Sequence, residues 1–488
     1  MENPSPVFSE YGAWKGRDPM KKLLSLLMIC VLTFGLCACT GNGTGETTQP
    51  EAQGLQIGYA RESITPGGGV NMRGYGNEAY RISTGFLDYL YATCIAVKDG
   101  ESTILLYSTD VASAYEPWTS ELRAKLKSKL GIPEENIQIG ATHSHTAPAI
   151  GTSYEAVYAW KTLYMDGLVK TAEKAIADLA PATMYGKKIK TVKQNFVRHY
   201  KMINGTYAGS NFGDWSLAPV EHATPGDPEM TLIKFDREGD KKDILLMNWQ
   251  AHCDMIGGTQ LSADYVGAAR DILEKKTGMH FIFFLGATGD QNPNSRIPGE
   301  KAKVNYQEYG AELAQYALEA LPEITEKIEG QGIVTKQEKI IYNCNIHGQD
   351  RLVEAKKVTE LFRQNGDSAA CTTYARSLGF ESVFHCTAIV KCSQYPPTDD
   401  FTVNVLRIGN LGFVAAPYEM FSENGLYIKK NSPYPFTIVS TVTNGSNGYF
   451  PTKEAFAYGC YESYSARFAS GVGEDTAVKF VEMLKEIQ

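Results

Sequence analysis

The chain has 488 residues, of which 43% are hydrophobic and 21% are charged, a composition typical of a soluble globular protein with a sizeable core. Aspartate and glutamate number 55 against 47 lysines and arginines, which gives a formal net charge of −8. Nucleic-acid-binding proteins usually carry a basic surface, so this balance argues against a nucleic-acid partner.

The first 54 residues are predicted to be targeting and tethering sequence outside the fold. Residues 20–22 (MKK) precede an apolar run at 23–36, too short for a comfortable membrane span and typical of a secretory signal. The run ends in LCAC, which resembles a bacterial lipobox and predicts a lipid anchor on Cys39. An ordinary cleaved signal peptide, with Cys39 incidental, is the alternative. We therefore expect a mis-start extension at 1–19, a lipoprotein signal peptide at 20–39, a flexible tether at 40–54 and an extracytoplasmic, membrane-anchored protein.

Seven cysteines remain beyond the signal segment, and they are widely scattered. An odd number with no Cys-x-x-Cys pair indicates neither a disulfide framework nor a cysteine-based zinc site. They are Cys94, Cys253, Cys344, Cys371, Cys386, Cys392 and Cys460.

From residue 55 onwards, apolar strands alternate with amphipathic helices, which predicts an α/β fold in a single domain, 55–488. We expect strands at 103–107, 136–140, 244–249, 280–285, 412–416 and 437–442, and helices at 118–130, 154–179, 306–321 and 350–364. The charged helical segment 345–385 is predicted to be an insertion that lies over the functional site.

Two histidines follow the short strand at 136–140 directly, in the segment GATHSHTAPA. Alternation along an extended chain places His143 and His145 on one side, a common way to present imidazoles to a metal. Structural or surface histidines are the alternative for such a pair.

Three further candidate ligands also come after apolar strands. His252 follows ILLMNW, Glu419 follows the strand at 412–416, and Tyr449 follows the strand ending at Val442. Sites in α/β folds assemble at the carboxyl ends of strands, and two histidines, a carboxylate and another oxygen donor suit Zn²⁺. Each has a plainer alternative: a backbone-bonded buried histidine, a helix cap after Pro417 and a packing tyrosine.

Polar residues in three other segments fit the same site. Asp290 and Asn292 lie in the turn GATGDQNPN after the strand 280–285, where backbone N–H groups can stabilise an oxyanion. Arg198 is a candidate clamp for a carbonyl or carboxylate, or else a solvated surface residue. Asp110 is a candidate to orient a metal-binding histidine, or else a helix N-cap. Asp264, before a helix, is expected to be structural.

Taken in order, these motifs resemble the neutral/alkaline non-lysosomal ceramidases. The resemblance is carried by GATHSHTAPA, NWQAHCDMIGG with LSADYVG, GATGDQNPN and APYEMF, together with MRGYG, NFVRHY and NGYFPTKEAF. It runs over nearly all of residues 55–488. It implies the catalytic-domain fold of that family, with mixed β-sheets flanked by helices, in a divergent bacterial lipoprotein member.

The resemblance also implies a zinc amidase. It assigns His143, His252 and Glu419 as zinc ligands, with Tyr449 as the best match for a fourth, and makes His145 necessary for activity. Asn292 replaces a family serine, and asparagine cannot act as an acyl-accepting nucleophile, although it can still donate to an oxyanion. The expected function is hydrolysis of an amide bond in a lipid-like or small substrate at the cell surface. The alternatives are a non-catalytic ligand-binding lipoprotein and an esterase or other hydrolase on the same fold.

Overall fold

The computed structural model describes residues 54–210, 212–302 and 305–488. The predicted mis-start extension, signal peptide, Cys39 and nearly all of the tether lie outside these ranges. Within them, no helix combines the length and the apolar character that crossing a bilayer requires.

The described residues form 22 strands, many of them short. In chain order they are β1 (Gln56–Ser63), β2 (Gly85–Phe86), β3 (Tyr91–Asp99), β4 (Ser102–Thr109), β5 (Ile137–Ala141), β6 (Ala180–Lys190), β7 (Phe196–Val197), β8 (Tyr200–Met202), β9 (Tyr207–Ala208), β10 (Pro219–His222), β11 (Glu229–Arg237), β12 (Ile244–Trp249), β13 (Gln260–Leu261), β14 (His280–Leu285), β15 (Gln291–Asn292), β16 (Glu326–Lys327), β17 (Ile333–Asn343), β18 (Thr398–Ile408), β19 (Leu411–Ala415), β20 (Glu419–Met420), β21 (Phe436–Ser440) and β22 (Tyr449–Phe450).

Eleven α-helices lie in the same ranges. They are α1 (Glu116–Leu130), α2 (Glu155–Ala177), α3 (Asp264–Thr277), α4 (Tyr306–Ala320), α5 (Leu352–Asn365), α6 (Ser368–Ser377), α7 (Val383–Cys392), α8 (Ser422–Asn431), α9 (Lys453–Tyr458), α10 (Tyr461–Ser465) and α11 (Val472–Glu486).

Two mixed sheets organise the chain. The larger has nine strands in the order β14-β12-β11-β6-β1-β3-β4-β5, with β16 paired to β6, and its outer pairs β12–β14 and β4–β5 are parallel. The smaller has four strands in the order β17-β18-β19-β21, of which β19–β21 is the parallel pair. Parallel pairing brings the carboxyl ends of successive strands to one edge, where polar loops can meet.

The two sheets and their helices stack in four layers. Helices α1 to α4 cover one face of the large sheet, with Tyr107 and Trp118 in the shared core. The opposite face packs on the small sheet, where Phe284 meets Phe413 edge to face with ring centroids 5.2 Å apart. Helices α8 and α11 cover the outer face of the small sheet. Alternate residues of each central strand thus enter different cores, as the pleat requires.

The predicted strands and helices are confirmed, with ends shifted by at most a few residues. The predicted strands 244–249 and 280–285 are β12 and β14, and helix α1 ends before Gly131, whose φ of 71° gives the left-handed cap. All seven cysteines beyond the signal segment are free and buried, so no disulfide joins them. The segment predicted as an insertion forms α5 and α6 and begins α7, which share a small core of their own.

Candidate metal centre

Three acceptor atoms from three separate segments converge at the carboxyl ends of the strands. His143 follows β5, His252 follows β12, and Glu419 opens β20 beyond β19. The Nε2 atoms of His143 and His252 lie 3.3 Å apart. Glu419 Oε2 lies 3.3 Å from the first of these nitrogens and 3.4 Å from the second. The structure therefore brings together the three ligands predicted from the sequence.

The backbone fixes the orientation of both histidine rings. Nδ1 of His143 lies 2.6 Å from the carbonyl oxygen of Ala112, and Nδ1 of His252 lies 2.8 Å from that of Thr288. A carbonyl only accepts, so each Nδ1 donates a hydrogen, and the neutral ring presents a lone pair on Nε2. The alternative interpretation of His252 was a buried histidine bonded to the backbone. The structure shows this bond, and because the bond is made by Nδ1, it leaves Nε2 free to act as a metal ligand.

These acceptors suit a small divalent cation. When both rings are neutral with the hydrogen on Nδ1, no hydrogen stands between the facing Nε2 atoms, and buried Glu419 Oε2 has no hydrogen-bond donor among the described residues. Converging lone pairs in a buried site are costly unless a cation compensates them. Ligand bonds of about 2.0–2.2 Å in a tetrahedral zinc site place the ligand atoms about 3.3 Å apart, as observed here.

His145 lies beside this group but is held differently. Its Nε2 is 3.4 Å from Nε2 of His143, and the three histidines form one cluster of possible ligands. Its Nδ1, however, is buried without a hydrogen-bond partner among the described residues. Unlike the two neighbouring histidines, His145 is therefore not fixed at Nδ1 by a backbone carbonyl.

Tyr449 and Arg198 meet next to Glu419. Strand β20 pairs with β22 so that Glu419 lies beside Tyr449. Arg198 is buried, not on the surface; its Nη2 donates to the Tyr449 hydroxyl over 3.3 Å and to the Gly289 carbonyl over 2.9 Å. The same guanidinium pairs with Glu462 at 2.6 Å. The phenol of Tyr449 is thus an accessory oxygen at the centre, positioned by an arginine.

The charged and titratable groups of the site shift one another's pKa values. Burial favours neutral His143, but the carboxylate of Glu419 outweighs it and raises the pKa of His143. Burial and the positive charge of Arg198 lower the pKa of His252. Burial, followed by the two neighbouring histidines, puts the pKa of His145 well below its usual range. Burial raises carboxyl pKa values, yet the two histidines hold the pKa of Glu419 well below its usual range.

Two carboxylates expected at the site, Asp110 and Asp290, have different contacts. Asp110 does not orient a histidine; it accepts from Arg270 at 2.8 Å and from the backbone N–H of Tyr91 at 2.9 Å. Asp290 accepts from the N–H and hydroxyl of Ser422, at the start of α8. These carboxylates therefore stabilise the structure around the site, because each binds a buried group in a neighbouring segment.

Asn292 also departs from the expected arrangement. It lies in β15 and pairs there with Phe196 of β7, two residues before Arg198 in sequence. Its side chain does not line the cavity beside the acceptor group. Its Oδ1 is buried without a partner in the described part of the chain. Asp264 is structural, as expected: its carboxylate accepts from the backbone N–H groups of Met255 and Tyr265.

Two further carboxylates, Asp254 and Glu462, belong to the site but were not among the residues predicted from the sequence. Asp254 lines the cavity only two residues after His252, and its place within the motif NWQAHCDMIGG was a usable signal. Glu462 bonds both Arg198 and His199, the latter at 2.7 Å. No local pattern marks Glu462, since its partners are more than 250 residues away in sequence.

A cavity of about 840 Å³ opens beside the acceptor group. His145, Arg198, Tyr449 and Tyr461 line the part nearest the candidate ligands, and residues of α5 to α7 line another part. The helical segment therefore lies over the site, as predicted from its position and charge.

The comparisons with known proteins agree with this picture. Residues 55–373 match the family described as neutral/alkaline non-lysosomal ceramidase, N-terminal. No curated protein matches the chain. The crystal structure of the neutral ceramidase from Pseudomonas aeruginosa is similar with a TM-score of 0.67 and 18% identity, over 88% of this chain and 74% of that one. A ceramidase complexed with C2 gives a TM-score of 0.68 and 17% identity, over 88% and 75%.

At these identities the structural likeness concerns the fold alone, and it confirms the expected mixed α/β architecture. The family match spans well over half of the chain and confirms the resemblance seen in the motifs. The chain belongs to the neutral/alkaline non-lysosomal ceramidase family.

Proposed function

We propose that this protein is a zinc-dependent hydrolase that cleaves amide (N-acyl) bonds in lipid-like or small substrates. Its family implies a hydrolase of amide bonds in ceramide-like molecules, and one similar structure is a ceramidase complexed with C2. The observation that carries the proposal is the convergence of Nε2 of His143, Nε2 of His252 and Oε2 of Glu419, which lie 3.3 to 3.4 Å from one another beside a large cavity.

His143, His252 and Glu419 would hold the ion, with Tyr449 as an additional oxygen donor. A divalent cation there would polarise a carbonyl and acidify water. The geometry favours these two histidines over His145 as ligands, because only their Nδ1 atoms are fixed by backbone carbonyls.

The remaining steps belong to residues that line the cavity. Tyr449 accepts from Arg198, so its own hydrogen is free to stabilise the carbonyl oxygen, which becomes negative as water adds to the carbon. His145 takes the proton of that water and passes it to the departing nitrogen. The C–N bond then breaks, and the products are a carboxylate and an amine.

The location proposed with this activity rests on the sequence alone. The apolar run 23–36 and the LCAC segment support export and a lipid anchor on Cys39. Such an anchor would hold the enzyme at the outer side of the cell membrane, next to lipid-like substrates.

The test combines elemental analysis with an amide and ester assay on the full chain. We expect about one zinc per chain, lost in His143→Ala and His252→Ala, together with a fall of at least about 10³-fold in amide kcat/KM. His280→Ala is the matched control, since His280 stacks on Tyr59 at the other end of β14. Hydrolysis of an N-dodecanoyl amide but not of the matching ester supports an amidase. Faster ester cleavage would favour the esterase, and bound zinc without turnover would favour the binding protein.

A further inference from the structure

The wall of the cavity formed by α7 and the turn after it carries one cationic side chain. Phe384, Thr387, Val390, Lys391 and Gln394 all line the cavity. Their spacing of three and four residues is that of a single helix face, so the periodicity of α7 directs Lys391 into the cavity. The opposite face of α7 packs into the small core shared with α5 and α6.

The ammonium of Lys391 has no anionic partner in the part of the chain that the structure describes. Among the described residues, no carboxylate lies within ion-pair distance of it and no hydrogen bond is made by its Nζ. The side chain is accessible to water in the cavity. Surrounding protein nevertheless desolvates it, and this burial, followed by the nearby charge of Arg73, lowers the pKa of Lys391.

The usual role of a lysine in the last turn of a helix does not account for this placement. Such a lysine compensates the helix dipole equally well from open solvent, where its charge is fully hydrated. Here the side chain instead lines the cavity beside the candidate metal centre, where the described residues provide no carboxylate to pair with it. A ligand anion is therefore the partner that this wall lacks.

We propose that Lys391 binds a carboxylate of the substrate, so that the preferred substrates are acidic N-acyl compounds. This inference rests on the proposed amide hydrolysis and narrows its substrate class. A single ammonium flanked by the uncharged Thr387 and Gln394 suits a monoanion. Phosphate sites are usually built from guanidinium forks or several converging donors. His145 and Tyr449, next to the candidate ligands, line the same cavity as Lys391, so one molecule can present its anion to Lys391 and its scissile carbonyl to the metal centre.

The test is a binding comparison by calorimetry on the full chain, with zinc present and after chelation, which also stops turnover. The probes are N-dodecanoylglycine and its neutral analogue N-dodecanoylglycinamide. We expect the acid to bind roughly 10- to 100-fold more tightly than the amide, with or without zinc. Lys391→Gln should abolish this preference, and Lys391→Arg should retain part of it. Lys356→Gln on the exposed side of α5 is the matched control and should leave the preference unchanged.

Each contrary outcome overturns the inference. Equal binding of the two probes, or no binding of either, would mean that the wall does not select an anion. A preference that survives in Lys391→Gln, or that disappears on chelation, would place the carboxylate on the metal or another cation. Thermal melting of the variants checks that each is folded. A failure of amide hydrolysis in every protein would overturn the proposed function, while the binding comparison would still decide the role of Lys391.

Discussion

At the residue scale, the site separates two kinds of histidine by what their Nδ1 atoms contact. Backbone carbonyls fix His143 and His252, while Nδ1 of His145 has no partner in the described residues. His143 also adopts a φ of 67°, a left-handed conformation that is strained for a residue with a side chain. Strain held in place by its surroundings is common where geometry serves a function, and here it directs one ligand towards the acceptor group.

Glu462 should be a positioning residue that acts through Arg198. Its carboxylate pairs with the guanidinium that holds the Tyr449 hydroxyl. Glu462→Gln leaves a buried charge uncompensated, so we expect the free energy of unfolding at pH 7 to fall by about 3–5 kcal/mol. Amide kcat/KM should fall roughly 10-fold or more while zinc content stays unchanged. Chemical denaturation, steady-state kinetics and elemental analysis measure these effects, and Glu454→Gln, on the exposed side of α9, is the control.

The pairing of Glu462 with Arg198 also predicts how the stability of the fold depends on pH. Burial alone would raise the pKa of Glu462, but Arg198 and His199 outweigh it and hold this pKa at about 2, below the ordinary value of 4.5. A carboxyl with a lowered pKa stabilises the fold above its unfolded pKa, and that stabilisation is lost as the pH falls towards its folded pKa. The stability difference between the wild type and Glu462→Gln should therefore shrink between pH 4.5 and pH 2. A difference that stays constant over this range would contradict the pairing.

At the element scale, the loop MRGYG is shaped around His145. Gly74 has a φ of 125°, and a Cβ atom there would lie 2.5 Å from Cβ of His145 and 2.7 Å from its Cγ. Gly74→Ala should displace the imidazole and lower amide kcat/KM roughly 10- to 100-fold, because misplacement by about 1 Å is costly in catalysis. Zinc content should remain unchanged.

Gly68→Ala separates this contact from simple backbone strain. Gly68 has a similar φ of 115° but open space around its Cβ position. It should lose stability without losing activity. An equal loss of kcat/KM in the two variants, measured at a temperature where both are folded, would show that the contact with His145 is unimportant.

How far the sequence predicts each element depends on its surroundings. Buried strands such as β12 and β14 are short apolar runs, and their ends indicated where His252 and the turn around Asp290 would lie. Strand β17 (IVTKQEKIIYN) is half exposed and interrupted by charges, so its pattern did not identify it. The contacts of Asp110 and Glu462 arise from packing between distant segments, which no local pattern encodes.

At the scale of the whole molecule, the acceptor group joins the two sheets. His143 and His252 follow strands of the nine-stranded sheet, whereas Glu419 follows β19 of the four-stranded sheet. Asn248 joins the sheets in the core as well, since its side-chain N–H group donates to the carbonyls of Phe284 and Val439. The site is complete only when the two sheets are docked, and this links metal binding to the stability of the entire fold.

Zinc should therefore stabilise the folded chain, and the effect should require ligands from both sheets. Zinc at about 100 times its Kd should raise the free energy of unfolding by about 2.7 kcal/mol, seen as a higher melting temperature that a chelator reverses. His252→Ala removes a ligand after the large sheet and Glu419→Ala one after the small sheet, and each should abolish most of the shift. Mg²⁺ is the control, because it prefers oxygen ligands and should give little shift. A full zinc shift in Glu419→Ala would mean that the histidines bind the ion without the small sheet, and the metal would then not couple the two layers.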